Sequence, residues 1–315
     1  MATFPLVSSR QIAMAQRPHP LLAVMAWELR RLRASRATWR LLIVAFGLFL
    51  FVVWLIKAPG TTGFNDVTFS VSVTSAEGLV AVLPILSFLL ALTLPFVNAD
   101  GVTRDLKERT HELLMSTSVP SWAYIWGRYL VCLLVSLGLA VLLLVALLLM
   151  GLILHHTQAD YPLPQLEAVG LIWAVALVPT AILISSASFA LGTILQRNSN
   201  LVKVGMILGW FMLGLVLPGI PVGGSGHVPS WYLTWEPSNI GMTTLLQTPY
   251  NQDATMILTA AASGGSDSFF LAALASLEQQ MPNLGPYILP HLVWATLGVA
   301  LVGWAALTFK RFSNS

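Results

Sequence analysis

Charge is what this sequence has least of. Its 315 residues include 16 Lys and Arg and 13 Asp and Glu, 9% of the chain, against roughly 25% in soluble domains. With 56% hydrophobic residues there is no charged shell to clothe a globule of this length, which excludes soluble enzymes, nucleic-acid binders and disordered tails. Cysteine is almost missing: Cys132 stands alone inside an apolar run, so no disulfide forms within the chain. A G-x-x-x-x-G-K-[ST] phosphate loop is absent, and no hydrophilic segment is large enough to hold an ATPase domain. Any uphill work done through this protein is supplied by a partner. The solvent for most of the chain is lipid.

What is present is a set of long apolar runs. Six are long enough for a bilayer-crossing helix: Trp39–Ile56, Gly78–Asn98, Trp122–Leu154, Ala168–Leu195, Leu201–Ile220 and Tyr287–Phe309. The first begins too late for a signal-peptide core, and the first 17 residues are a polar, unpatterned tail. Six crossings place residues 1–38, 99–121, 196–200 and 310–315 on one side and 57–77, 155–167 and 221–286 on the other. Counting Arg40, Arg128 and Lys203 at adjoining helix ends, the first side holds fifteen of the sixteen basic residues; Lys57 is the exception. The positive-inside rule makes that side cytoplasmic, with both termini inside. The expected fold is an all-α, six-span membrane protein in the cell membrane of a bacterium.

No Asp, Glu, Lys or Arg occupies the middle of a predicted span. An ion-coupled carrier or proton relay needs an ionisable group there, so that class is disfavoured. His155 and His156 lie at a membrane edge, His227 in a loop and His291 near the start of the last span. None has a ligand partner in sequence, and no metal site or catalytic residue is expected.

Charge is concentrated instead in one cytoplasmic stretch. Asp100, Arg104, Asp105, Lys107, Glu108, Arg109 and Glu112 fall within thirteen residues. Val102, Leu106 and Leu113 line one face of a helical pattern, while Arg104–Glu108 and Asp105–Arg109 are opposite-charge pairs one turn apart. A Ser116-Thr117-Ser118-Val119-Pro120 break follows, then Trp122 opens the long third span. Such a helix is a solvated loop or a docking element for a cytoplasmic protein.

The run from Asp105 to Leu130 resembles the hallmark loop of type-2 ABC transporter permeases, an E-R-x-x-x-E-L-L-x-(S/T) stretch, a small-residue and proline turn, then an interfacial helix with a basic residue. The matching positions are Glu108, Arg109, Glu112, Leu113, Leu114, Ser116, Thr117, Pro120, Gly127 and Arg128. His111 and the position of Pro120 depart from the usual pattern. The resemblance implies a permease subunit of an ATP-driven exporter, paired with a second permease, identical or related, and two copies of an ATP-binding subunit. It makes Arg104, Asp105, Glu108, Arg109, Glu112 and Leu113 a coupling helix against that subunit. Gln196, Arg197 and Asn198 become a second, smaller contact. The chain itself is expected to bind no cofactor; ATP and Mg belong to the partner.

Two further elements are amphipathic. Pro20–Arg40 sets Leu21, Leu22, Met25, Leu29 and Leu32 against Arg30, Arg31, Arg33 and Arg36, a basic helix lying in the lipid interface. The external segment 221–286 is rich in Gly and Pro at first. It then carries two stretches, Ala254–Ser263 and Ser268–Met281, too short to cross and so interfacial or re-entrant. Ser87 and Thr93 in span two, with Ser185 and Ser188 in span four, either line a weakly polar pathway or bond back to their own helices. An uncharged, aromatic-rich interior suits an amphipathic or lipid-like cargo. The alternative is a non-transporting membrane anchor that docks a cytoplasmic partner.

Overall fold

Pro20 sits in the first turn of the opening helix, where its missing N–H costs nothing. The computed structural model describes residues 19–57, 61–64, 67–101, 120–158, 161–195, 198–216, 228–262 and 267–309. The helices are α1 (Pro20–Ala34), α2 (Arg36–Leu55), α3 (Ala76–Asn98), α4 (Ser121–Thr157), α5 (Leu166–Ile194), α6 (Ser199–Phe211), α7 (Ser230–Trp235), α8 (Ile240–Ala262), α9 (Asp267–Glu278) and α10 (Gly285–Thr308). The described residues are all-α apart from one antiparallel hairpin, β1 (Thr61–Phe64) with β2 (Val67–Ser70), registered Thr61 to Ser70.

Five helices, α2, α3, α4, α5 and α10, are long and apolar enough to cross a membrane. Their ends fall within a few residues of the predicted spans. The fifth predicted span, 201–220, corresponds to α6, which continues as a π-helix over Met212–Val216. At 37 residues α4 is the longest element, about 55 Å at the usual helical rise.

Two predictions about helix ends are corrected. The interfacial helix stops at Ala34, not Arg40: Ser35 leaves helical geometry and its hydroxyl accepts from Thr38 N–H at 3.4 Å, capping a new helix. Arg36, placed on the interfacial helix by its sequence, therefore belongs to α2. In the external segment, the described part of the predicted Ala254–Ser263 stretch, up to Ala262, is only the tail of α8, which starts at Ile240 and runs through Pro249. Thr243, Thr244, Gln247 and Thr248 before Pro249 hide that helix from a hydrophobic-pattern reading.

The core forms around α3 and α5, both packed on α4, with α6 and α8 against α3 and α10 against α5. Leu79, Leu83, Leu86, Leu90 and Leu94 make the buried stripe of α3 and meet Leu139 and Leu143 of α4 and Ile184 of α5. By contrast, only 17% of the apolar stretch of α2 is buried, so it is the peripheral span, packed mainly on α4. In α5 the turn Trp173–Leu177 widens to a π-helix just before Pro179. The ring of Pro179 would strike the carbonyl four residues back and offers it no N–H; the extra residue absorbs both. Trp173 Nε1 donates to Ala140 O at 2.9 Å and ties the widened turn to α4.

Helix α1 lies along the start of α4, and the approach is close at Gly127. A Cβ on that residue would stand 2.8 Å from Val24 Cγ1. Gly127→Leu should weaken this docking by about 1–3 kcal/mol, the usual range for overpacking. Gly47→Leu, where a side chain meets open space, is the control. Limited proteolysis between α1 and α2, with thermal unfolding in detergent, should register a loss for the first variant and none for the second.

Candidate functional site

The charge-dense stretch singled out above begins at Asp100, at the end of α3, and is followed by Pro120 at the start of α4. Residues 102–119, and with them Arg104, Asp105, Glu108, Arg109, Glu112 and Leu113, lie outside the described residues, as do Gln196 and Arg197. Asn198 is described and exposed at the start of α6. The structure does describe what holds the feet of this stretch.

One foot is the turn after α3. Gly101 N–H donates to Asn98 O at 3.1 Å. The turn presses on α5 so closely that a Cβ on Gly101 would reach Phe189 at 2.7 Å and one on Gly192 would reach Ala99 O at 2.3 Å. Asn98 is fully buried; its amide donates to Leu94 O at 2.8 Å and to Ser136 Oγ on α4 at 3.0 Å. Ser136 in turn meets Ser185 Oγ of α5 at 3.0 Å. At Asp100, Lys203 Nζ of α6 approaches to 2.5 Å and also lies over the Phe96 ring.

The other foot is the start of α4, and its key is Arg128. This guanidinium is only 1% exposed. Nη1 donates to Gly101 O and so ties the two feet together. Nη2 stands 3.4 Å from Glu28 Oε2 on α1, where Arg31 Nη1 also reaches at 3.7 Å. The Tyr124 and Trp27 rings lie 4.9 and 5.7 Å from the guanidinium carbon. A buried arginine requires compensation of this kind, because an uncompensated charge away from water costs several kcal/mol. The result is a knot of α1, α3, α4 and α6 at the point where the charged stretch departs.

Glu28 was not singled out by sequence reasoning, although a signal existed. It is the only acid in α1, in line with Leu21, Met25 and Leu32 on the face turned to α4. An acid on an apolar face needs a buried cation. Among the predicted interfacial arginines, Arg30, Arg33 and Arg36 are exposed, while Arg31 bends into the knot.

The four predicted pathway residues are distributed as follows. Thr93 bonds back to Leu89 O at 2.9 Å, and Ser185 joins the Asn98–Ser136 chain. Ser188 is buried, with no hydrogen-bond partner for its hydroxyl. Ser87 belongs to a second polar cluster that sequence reasoning missed. Asn239, in the tight turn between α7 and α8, is fully buried among the spans. Its amide donates to Ser87 Oγ of α3 at 2.6 Å and to Thr180 Oγ1 of α5 at 3.2 Å, while its Oδ1 lies 2.7 Å from His291 Nε2 of α10. His291 Nδ1 is 2.8 Å from Tyr287 O. Turning the Asn239 amide end for end satisfies a neutral imidazole at both nitrogens with the same partners. Asn239 has φ of 71°, a left-handed conformation that Asn tolerates better than most residues. Glu236 closes the turn by accepting from Ser238 N–H at 2.5 Å and Gly241 N–H at 3.1 Å.

The end of α3 opposite the knot is also laced by polar contacts. Glu278 Oε1 of α9 accepts from Ser72 N–H at 2.6 Å, and Gln165 bonds both Ala76 N–H and Thr74 O. Tyr161 OH donates to Lys57 O at 3.0 Å. Burial pushes the carboxyls of Glu236 and Glu278 above the usual carboxylate range, with their hydrogen bonds opposing the rise. Among the described residues no group of three or more His, Cys, Asp or Glu is placed to hold a metal ion; His155 faces Tyr161 O instead.

Residues 56–308 match the family described as ABC-2 family transporter protein. The matched region contains the charged stretch and both polar clusters, and it leaves out α1 and nearly all of α2. No curated protein matches the chain.

Removing the Asn239 amide strands Ser87, Thr180 and His291. Asn239→Ala should cost about 2 kcal/mol of stability. Asn239→Gly, which suits the left-handed backbone, should cost about 1 kcal/mol less, read as the difference between their thermal midpoints in detergent. For Glu236 and Glu278 the folded pKa is raised, so the folded protein binds protons more tightly than the unfolded chain. Stability should therefore rise as pH falls through the raised values, then level off below the ordinary carboxylate range near 4.3. Glu278→Gln keeps an acceptor for Ser72 and should flatten that slope.

Proposed function

The chain belongs to the ABC-2 family of transporter membrane proteins, and on that premise we propose that it is the permease subunit of an ATP-driven exporter. The family component is not itself catalytic, so ATP and Mg are bound by a separate ATP-binding subunit, two copies per complex. A second permease, identical or related, completes the translocation path. In this reading α6 with its π-helical extension is the sixth crossing, both termini are cytoplasmic, and α7, α8 and α9 cap the far side in a bacterial cell membrane.

The observation that carries the coupling role is the knot. A lever transmits motion only if its fulcrum is stiff. The stretch 102–119 leaves from two feet joined by Arg128 and Gly101 O and clamped by Glu28, by Asp100–Lys203 and by the close seat on Phe189. Residues Arg104, Asp105, Glu108, Arg109, Glu112 and Leu113 then act as the coupling helix on the ATP-binding subunit. Gln196, Arg197 and Asn198 add a lesser contact. Closure of two ATPase subunits would rock α3 and α4 as a unit, a rigid-body change of a familiar kind. The cargo class follows from the interior: buried hydroxyls and amides with no charge at mid-depth favour an amphipathic or lipid-like molecule.

Tagged chain purified from its native membrane should bring down an ATP-binding subunit. Reversing Arg104, Glu108 and Arg109 together should cut the complex's ATP turnover by about tenfold or more, equivalent to about 1.4 kcal/mol of lost coupling. Unchanged turnover with the partner still bound would leave a docking anchor as the better reading. No captured ATPase at all would remove the permease reading and leave the anchor.

A further inference from the structure

Beside the knot, α1, the start of α2, the end of α3 and α4 enclose a cavity of ≈ 290 Å³. That is about ten waters' worth of volume, enough for a small polar group with a few methylenes. Among the described residues, two carboxylates, Glu28 and Asp100, are the only charged groups on its wall; Thr38 adds a hydroxyl, and Leu41, Phe96 and Val135 contribute apolar surface. Ala37 and Phe96 are exposed, so the cavity opens on the outer face of the bundle.

Its depth is marked by its neighbours. Trp39 and Trp122 are exposed at this end of the bundle, as headgroup-level aromatics are. Arg36 and Arg40 are exposed on the same turns of α2 that supply Ala37, Thr38 and Leu41. Glu28 and Asp100 thus face the cavity, each already paired with a cation (Arg128 and Arg31, or Lys203), and Arg36 and Arg40 stand at neighbouring exposed positions of α2. A carboxylate takes several donors at once, so its ion pair and an added ammonium are compatible.

We propose that this cavity is a lipid site for the headgroup of a zwitterionic phospholipid with a primary amine, of the phosphatidylethanolamine type. The ammonium points to Glu28 and Asp100, the phosphate meets Arg36 and Arg40 at the rim, and the acyl chains leave past Phe96. A choline headgroup carries the same charge but no N–H to donate, and a glycerol headgroup carries no cation. The inference does not depend on ATP coupling or on what the protein transports.

The test uses the full chain in nanodiscs with equal parts phosphatidylethanolamine, phosphatidylcholine and phosphatidylglycerol of identical acyl chains, with retained lipid identified by native mass spectrometry. The wild type should retain the ethanolamine lipid over each of the others by about tenfold, the scale of one charge-assisted hydrogen bond. Ala37→Phe, at an exposed position, and Val135→Phe should each fill the cavity and remove that preference. Leu149→Phe, on the lipid-facing side of α4, should keep it. Equal retention of ethanolamine and choline lipids would overturn the proposal, as would a preference that survives both filled-cavity variants. Preference for the glycerol lipid would mean that the rim arginines act alone, also against it. Displacement of the lipid by soluble phosphoethanolamine would make the occupant a free amine, against a lipid source.

Discussion

A single buried guanidinium organises one end of this protein. Arg128 is held away from water almost completely, and its charge has to be met within a few ångströms or the helix carrying it could not pack there. Glu28 meets the charge from α1, Gly101 O accepts from the end of α3, and Trp27 and Tyr124 present their ring faces. Each of these contacts fixes an element that hydrophobic packing alone would leave free to slide. The apolar faces of α1 and α4 only require that the helices touch; the ion pair decides in which register. Replacing a buried pair by apolar residues often costs little stability, whereas removing one partner costs much. The value of the Arg128–Glu28 pair is thus positional: it gives the two feet of residues 102–119 one address.

The same economy of polar groups recurs at two other depths. Inside the bundle, Asn239 brings a hydrogen-bonding amide to Ser87, Thr180 and His291, joining α3, α5 and α10 through a turn that comes from outside the spans. At the far end of α3, Glu278, Tyr161 and Gln165 accept from the N–H groups of Ser72, Val73 and Ala76, where the helix starts. In lipid an unsatisfied polar group has no water to fall back on, so each of these groups comes with its partner supplied by another element. With so few polar residues, each one carries geometric information.

Much of this architecture was legible in the sequence. The ends of α2, α3, α4, α5 and α10 follow from apolar runs bounded by charge, Trp or Pro, because transfer to lipid is set by local composition. The charge cluster beginning at Asp100 and its family resemblance were equally visible, since both are short-range patterns, and the matched family agrees. Other features were hidden for identifiable reasons. Ser35 could not be known to cap a helix until the chain's turn there was seen. The first half of α8 carries Thr, Gln and Asn, and its helicity rests on α3 and α7 rather than on a hydrophobic stripe. Glu28 looked like one polar residue among many.

By itself the sequence determined that this is a membrane protein, where its apolar helices run, which ends gather positive charge and which segment concentrates mixed charge. All of those depend on residues close together along the chain. Only the tertiary structure decided that Glu28 meets Arg128 a hundred positions away, that Asp100 meets Lys203, and that Asn239 enters the bundle to hold Ser87 and His291. Those pairings arise because buried polar groups must find partners wherever packing brings them, and distance along the chain says nothing about who they will be.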